Sequence, residues 1–324
     1  MTDPTGPALE PAGPATTAEA GLDIPEFDPR RTRRAVRRGI MRTSLTVVVT
    51  LVLISLLVTL GSAWFQRRGD RVQRMNDVLG TALQIAYPAY EIRLDETVAS
   101  PVSLSIQVGM RPLRAYGGFS TGAGFGEVKG ELSQDFFGRV RRSPLGYYTE
   151  TPLTYALYDV RTGNQPKEQM RKVLARLPET MRALAVVEFS APLTDAELRA
   201  FGGQHRACPD LVVYENRPRS TPITWGGPHM SPSTSQLHSG KCSDQTTPEL
   251  ANFRAWVATL RDHDDPNLRK LGLTLDRLRA AATEGKAYAY VDQLADVATL
   301  RKIIEDPRVA TVRVADLAYD LERP

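Results

Sequence analysis

Residues 43–66, TSLTVVVTLVLISLLVTLGSAWFQ, are 24 consecutive residues without a charged side chain, and this run most constrains the chain. A helix of about 20 apolar residues suffices to cross the ~30 Å hydrocarbon core of a bilayer. Trp64 and Phe65 stand at its distal end, where aromatic side chains anchor a helix at the membrane interface. The run therefore predicts a transmembrane helix, and its length disfavours a buried core helix.

The charges around this run predict its orientation. Residues 1–29 hold six acids and no Lys or Arg, and from residue 43 onward 34 basic residues nearly balance 31 acidic ones, so the dense positive charge is confined to one short block. That block is a set of membrane-flanking arginines: Arg30, Arg31, Arg33, Arg34, Arg37, Arg38 and Arg42. The positive-inside rule predicts a cytoplasmic N-terminus and an extracytoplasmic C-terminal region. A nucleic-acid-binding surface is not predicted, because the basic residues do not extend over the domain.

A cleaved export signal is the alternative reading of the same segment. Arg37-Arg38 precede the apolar run, and Gly61-Ser62-Ala63 is an acceptable cleavage site. The apolar core exceeds the usual 7–15 residues and the stretch before it is long, which favours an uncleaved anchor in the cell membrane. The arginines then bind either anionic lipid head groups or a partner protein.

The pattern along the chain predicts five segments: a tail at 1–42 with residues 1–27 disordered, a transmembrane helix at 43–66, a stalk helix at 67–88, a β-rich layer at 89–180 and an α+β domain at 181–324. The stalk prediction rests on the helical spacing of Val72, Met75, Val78, Leu79 and Leu83. These residues form an apolar face that is suited to pairing with a second copy of the chain. Strands are predicted at 102–108, 153–160, 182–189, 210–215, 286–291 and 309–317. Helices are predicted at 166–177, 194–201, 248–262, 273–284 and 296–306. The last 144 residues thus contain strand–helix–strand twice, which predicts an α+β fold with a mixed sheet.

The stretch GAGFGEVKGELSQDFFG, residues 122–138, has some features of a protein kinase. Its glycine spacing is one residue short of the kinase loop, and Asp135-Phe136-Phe137-Gly138 has one Phe too many for the metal-binding Asp-Phe-Gly. No kinase lysine strand precedes it, and ATP is not ordinarily supplied outside the membrane. We interpret it as a Gly-rich turn between strands. No catalytic, metal-binding or cofactor-binding residue is predicted, and the chain is not expected to be an enzyme.

The two cysteines, Cys208 and Cys242, lie at the ends of a long Pro/Gly/Ser-rich loop, residues 216–241. An even count in an oxidising exterior favours a disulfide that closes this loop. A zinc site with His205, His229 and His238 is an alternative, although the spacing matches no ligand signature. Unpaired thiols are the third possibility. The acidic turn at 261–266, RDHDDP, is interpreted as a solvated turn.

Three stretches together resemble the bacterial sigma factor regulator family of membrane-anchored anti-sigma proteins. They are RRAVRRGIMRTSLTVVVTLVLISLLVTLG running into VLGTALQIAYPAYEI, ALAVVEFSAPLTDAELRAF, and GKAYAYVDQLADVATLRKIIEDPRVATVRVADL. The resemblance implies a cytoplasmic contact with a sigma factor and an outer regulator domain. Many such proteins hold the sigma factor with a folded, sometimes zinc-binding domain, whereas this tail has about 42 residues without His or Cys. Any contact then comes from a segment that folds on binding, for which residues 22–43 are the candidate, or from a second membrane protein.

Two functions from different classes follow. The first is a single-pass regulator of an extracytoplasmic-function sigma factor, whose outer domain senses or binds a protein or ligand and acts by population shift. The second is an anchored envelope-binding or envelope-assembly protein without sigma-factor contact. An exported hydrolase is a third and minor alternative.

Overall fold

The computed structural model describes residues 29–67, 71–100, 103–115, 128–141, 150–207, 209–215, 217–226 and 250–319. The chain divides into two compact units, Met1–Leu57 and Val58–Pro324, each described by itself. The described residues contain one long apolar helix, several shorter helices and two antiparallel sheets. The predicted α+β class is therefore confirmed. The disorder predicted for residues 1–27 lies outside the described residues.

Helix α1 runs over Pro29–Arg67, and Pro starts it at a position where no backbone N–H is needed. Its segment Val36–Gly61 has a mean hydropathy of 2.5 and is entirely exposed. By length and composition this helix suffices to cross a membrane. Thr43, Thr46 and Thr50 donate their hydroxyls to the carbonyls four residues earlier, at 2.9, 2.9 and 2.8 Å. These hydroxyls thus need no water, which suits an apolar surrounding.

Residues 71–86 are continuously helical, as α2 (Arg71–Arg74), a π-helical turn (Met75–Gly80) and α3 (Thr81–Ala86). We call this segment the docked helix. The helix predicted at 67–88 is therefore present, but it is not a free stalk. Its apolar side chains are buried in the core: Met75, Val78, Leu79, Ala82, Leu83 and Ile85. The face expected to pair with a second copy is already covered by the domain itself.

The docked helix packs against a three-stranded antiparallel sheet. Its strands are β1 (Tyr90–Ala99), β2 (Ser103–Pro112) and β3 (Val128–Asp135), in the order β1-β2-β3. The strand predicted at 102–108 is confirmed as part of β2, and its alternation places Leu104, Ile106 and Val108 in the core. Gly80 permits close packing, because a Cβ there would approach Leu94 Cδ1 to 2.5 Å.

The second sheet contains β4 (Met181–Leu193), β5 (Leu211–Val213), β6 (Thr224–Gly226), β7 (Ala287–Asp296) and β8 (Val309–Tyr319). The strand order is β6-β5-β7-β4-β8, and every described pair is antiparallel. Helix α6 (Asp195–His205) connects β4 to β5, and α10 (Val297–Ile303) connects β7 to β8.

Both predicted strand–helix–strand units are therefore present, but their strands interleave. β7 lies between β4 and β5, and β4 lies between β7 and β8. This is the arrangement of split, ferredoxin-like βαβ units. The predicted mixed sheet is wrong for the described strands, because interleaving separates each parallel pair by an antiparallel neighbour.

The remaining helices are α4 (Pro152–Tyr158), α5 (Lys167–Arg176), α7 (Leu250–Thr259), α8 (Asp265–Lys270) and α9 (Leu275–Glu284). Helix α4 contradicts the strand predicted at 153–160. It packs on one face of the second sheet, with Leu153 and Leu157 in a cluster that includes Leu184 and Val186. The opposite face joins α6, α7, α9 and α10 in the main core.

Candidate functional site

The arginines predicted to flank a membrane lie on the N-terminal part of α1, ahead of or within the start of its apolar segment. The side chains described there are exposed: Arg30, Arg33, Arg34, Arg37, Arg38 and Arg42. Arg31 is part of the same helix, and so are Trp64 and Phe65 near its C-terminal end; the side chains of these three lie outside the described residues. The helix therefore combines a basic end with a long apolar surface.

The docked helix is tied to the domain by polar contacts as well as by its apolar face. Arg74 Nη2 lies 2.7 Å from Asp264 Oδ2, and the Asp264 side chain is only 9% exposed. Trp256 Nε1 donates to the carbonyl of Asp77 at 2.9 Å, within the π-helical turn. Arg71 Nη2 donates to the carbonyl of Asp135 at 2.8 Å. The segment that follows α1 in the chain is thus fixed at three points as well as by its core.

The acidic turn at 261–266 has a structural role that the sequence did not reveal. Residues 262–264 form a 3₁₀ turn, and α8 begins at Asp265, so the turn does not end at Pro266. Asp264 is buried, where it accepts hydrogen bonds from Arg74 and from the backbone N–H of Arg261. The prediction of a solvated turn is therefore wrong for Asp264, while Asp262 is exposed as expected.

The predicted disulfide between Cys208 and Cys242 falls outside the described residues, as do His229 and His238 of the alternative zinc site. His205 is described, and its Nε2 lies 2.8 Å from Asp306 Oδ2. Among the described residues, no cluster of three or more His, Cys, Asp or Glu side chains has the arrangement of a metal site.

Asp306 organises a cluster at the C-terminal end of α6. Its carboxylate accepts from Arg308 Nη2 at 2.6 Å and from Arg308 Nε at 3.0 Å, besides the contact with His205. The Arg308 guanidinium also lies 4.9 Å from the centre of the Phe201 ring. The hydrogen bonds from Arg308, aided by His205, hold the pKa of the Asp306 carboxyl well below its usual range. The cluster links α6 to the turn before β8, and among the described residues no nucleophilic side chain is hydrogen-bonded to His205.

Two carboxyl groups, Asp210 and Asp292, meet where β5 begins beside β7. Asp210 Oδ2 accepts the backbone N–H of Gln293 at 2.7 Å, and Asp292 Oδ1 accepts that of Leu294 at 2.8 Å. Burial, reinforced by the nearby Asp292 carboxylate, raises the pKa of Asp210 to about 8. The raised pKa favours the protonated form of Asp210 in the folded protein, which allows the two carboxyl groups to be neighbours.

This raised pKa predicts a specific pH dependence. Because the folded state keeps a proton that the unfolded chain has lost, stability should fall as the pH rises from about 4 to about 8. Asp210→Asn keeps an oxygen acceptor for Gln293 and removes the titration. We expect the variant to be more stable than the parent at about pH 8 and to lose less stability between about pH 5 and about pH 8, as measured by urea unfolding. Asp262→Asn, at an exposed site, is the matched control; an equal effect there would contradict the prediction.

The described part of the domain has a small cavity at the C-terminal end of the docked helix. Its volume is about 50 Å³, and its lining includes Tyr87, Tyr90, Leu157 and Tyr158. Sites for drug-sized ligands usually occupy about 300–1,000 Å³, so this cavity is too small for such a ligand. An open groove of about 500 Å³ lies between α7 and α9, with Arg254 and Arg279 among its residues.

Comparison of the chain with family models, curated proteins and solved structures finds no significant match.

Proposed function

We propose that this protein is a single-pass membrane regulator, similar to an anti-sigma factor, with a cytoplasmic tail and an extracytoplasmic sensing or protein-binding domain. The apolar segment Val36–Gly61 supports the membrane anchor, and the preceding arginines support a cytoplasmic N-terminus. The assignment to sigma-factor regulation rests on the resemblance of the sequence to sigma factor regulators.

The observation that carries the regulatory part of this proposal is the docked helix. It begins four residues after the end of α1 at Arg67, and its apolar side chains belong to the main core of the domain. A regulator needs the chain that leaves the membrane to respond to the state of the outer domain. An independent stalk would isolate the membrane helix from the outer domain. A helix that is fixed by Asp264, Trp256 and the core instead responds to a rearrangement of the domain.

The mechanism is one of binding and population shift. A partner of the outer domain changes the tail only if it binds one arrangement of the docked helix more tightly than another. The Arg74–Asp264 ion pair and the Trp256–Asp77 hydrogen bond are contacts that two such arrangements would make differently. The cavity beside Tyr87 is too small to enclose a drug-sized ligand, so we place no ligand there.

The test is a crosslinked pull-down from native membranes with the full chain. One variant lacks residues 1–42 except for a minimal arginine anchor; the matched control keeps residues 22–43 unchanged and scrambles only residues 1–21. We expect a sigma factor to be captured by the full chain and lost with the truncated tail. Arg74→Gln, which leaves the tail intact, should change the captured amount. Recovery of the same envelope proteins by all variants, without a sigma factor, would support the anchored envelope-binding alternative instead.

A further inference from the structure

A hairpin tip in the domain presents two phenylalanines to solvent. We call residues 135–139, between β3 and the bridge that pairs Val140 with Gln134, the aromatic turn. Phe137 is 81% exposed and Phe136 is 41% exposed. Their ring centres lie 5.7 Å apart at an interplanar angle of 88°, so the two rings form one edge-to-face apolar surface. A single exposed apolar side chain is ordinary, but two adjacent ones are a small patch.

The backbone beneath this patch is held rigidly. Asp135 Oδ1 accepts the N–H of Arg139 at 2.9 Å, and the Asp135 carbonyl accepts that of Gly138 at 2.9 Å. Gly138 has a φ of +79°, which favours glycine. From α8, Asn267 donates to the Gly138 carbonyl and accepts from the Val140 N–H, both at 2.9 Å. These hydrogen bonds fix the backbone of the turn, and Phe137 at its tip is largely exposed.

The turn also lies beside the start of the docked helix. Arg71 Nη2 donates to the Asp135 carbonyl at 2.8 Å, at the base of the turn. Arg71 is only four residues beyond Arg67, the first charged residue after the uncharged run 43–66. With about 3.8 Å between consecutive Cα atoms, Arg71 lies at most about 15 Å from Arg67. If the uncharged run spans a bilayer, the turn is within reach of the head-group region.

The charged residues around the turn are also of the kind that binds a lipid head-group surface. Arg139 and Arg141 are exposed, and no ion pair with a carboxylate forms at either of them within the described part of the chain. The carboxylate of Asp135 is engaged with the Arg139 backbone, inside the turn. Phenylalanine favours the boundary between head groups and acyl chains, and arginine binds phosphate oxygens through charge-assisted hydrogen bonds. A bilayer surface offers both partners at adjacent depths.

We propose that the aromatic turn is a second membrane contact: Phe136 and Phe137 enter the outer interface of the bilayer, and Arg139 and Arg141 bind lipid phosphates. This inference rests on the proposed single-pass anchoring. The contact sets the orientation of the outer domain on the membrane, next to the docked helix. A ligand or partner that lifts the turn from the lipid would move the helix through the Arg71–Asp135 hydrogen bond.

The test uses the full chain in lipid nanodiscs, with a fluorescent amino acid at one position at a time and lipids that carry a quencher at known depths. The positions are 137 in the turn, 155 as the exposed aromatic control on α4, and 56 within the apolar segment. We expect quenching at 137 by shallow lipid quenchers, severalfold stronger than at 155. The double variant Arg139→Gln, Arg141→Gln should weaken quenching at 137 in phosphatidylglycerol bilayers more than in phosphatidylcholine bilayers.

The three positions separate the possible failures. Without lipid quenching at position 56, the membrane anchor itself is wrong. With quenching at 56 but equal, weak lipid quenching at 137 and 155, the anchor stands and the aromatic turn does not contact lipid. Protection of position 137 from both lipid and aqueous quenchers would show that protein, and not lipid, covers it and would also overturn the proposal. Because Phe137 is exposed, the probe there should leave the far-ultraviolet circular dichroism of the protein unchanged.

Discussion

Glu188→Ala should lower the free energy of unfolding by about 3–5 kcal/mol, because it leaves the Arg313 guanidinium buried without its counter-charge. Glu188 on β4 and Arg313 on β8 are 5% and 1% exposed, and Arg313 Nη1 lies 2.6 Å from Glu188 Oε2. The second nitrogen, Nη2, donates to the carbonyls of Asp159 and Asn164 at 2.9 and 3.2 Å. The loop after α4 thus closes over the pair and excludes water from it.

The combination Glu188→Leu with Arg313→Met tests this explanation. Removal of both charges leaves no ion unpaired in the core, so the double variant should be more stable than Glu188→Ala alone. Glu305→Ala, which breaks an exposed pair with Arg171, should have little effect, because exposed ion pairs contribute little. Urea unfolding of the full chain in detergent micelles, followed by the fluorescence of the buried Trp225 and Trp256, measures all three. A double variant less stable than the single one would refute the unpaired charge as the cause.

Helix α4 shows why β-propensity alone gives the wrong secondary structure for residues 153–160. Residues 153–160, LTYALYDV, are rich in residues that favour strands, and this suggested a strand. The local start signals favour a helix instead: Thr151 accepts from the N–H of Thr154 in a capping box, with Pro152 in the first turn. Leu153, Ala156, Leu157 and Val160 also recur at helical spacing and are buried. The sequence thus contains the signals for a helix, and the helix cap outweighs the β-propensity of residues 153–160.

The units after residue 180 were predictable because their signals are local. The capping box of Thr194 with Glu197 is present in the structure and begins α6, as predicted. The strands at 182–189, 210–215, 286–291 and 309–317 overlap β4, β5, β7 and β8. The order of the strands was not predictable in this way, because pairing joins residues far apart in the chain. Because the strands interleave, the sheet is antiparallel in the described residues, and the prediction of a mixed sheet was wrong.

The candidate site likewise contains features that local sequence predicts and contacts that it does not. The apolar segment and the arginines follow from composition alone, and the helical spacing of Met75, Val78, Leu79 and Leu83 predicts a stalk helix with one apolar face. Spacing does not identify what covers that face. Asp264 and Trp256 are 190 and 179 residues from the groups they bind on the docked helix. Contacts at such separations are set by the tertiary fold, and the sequence pattern around Asp264 indicated only a solvated turn.

The docked helix therefore provides the second large expected effect, since Leu83→Ala should lower the free energy of unfolding by about 2–5 kcal/mol. Leu83 is fully buried in α3, within the core shared by both sheets, so its removal leaves a cavity that the rigid surroundings fill only in part. Gln73→Ala, on the exposed side of the same helix, is the matched control and should change stability by less than about 0.5 kcal/mol.

The comparison of these two variants tests whether the helix belongs to the domain. A free stalk that only connected the domain to the membrane would tolerate Leu83→Ala as well as Gln73→Ala, and the urea midpoint of the domain would not move. A shift for Leu83→Ala alone means that the chain next to α1 unfolds with the domain core, as coupling through this helix requires. If the proposed regulation is also correct, the same variant should alter sigma-factor capture in the pull-down while the tail sequence is unchanged. Altered stability with unchanged capture would keep the docked helix and reject its role in signalling.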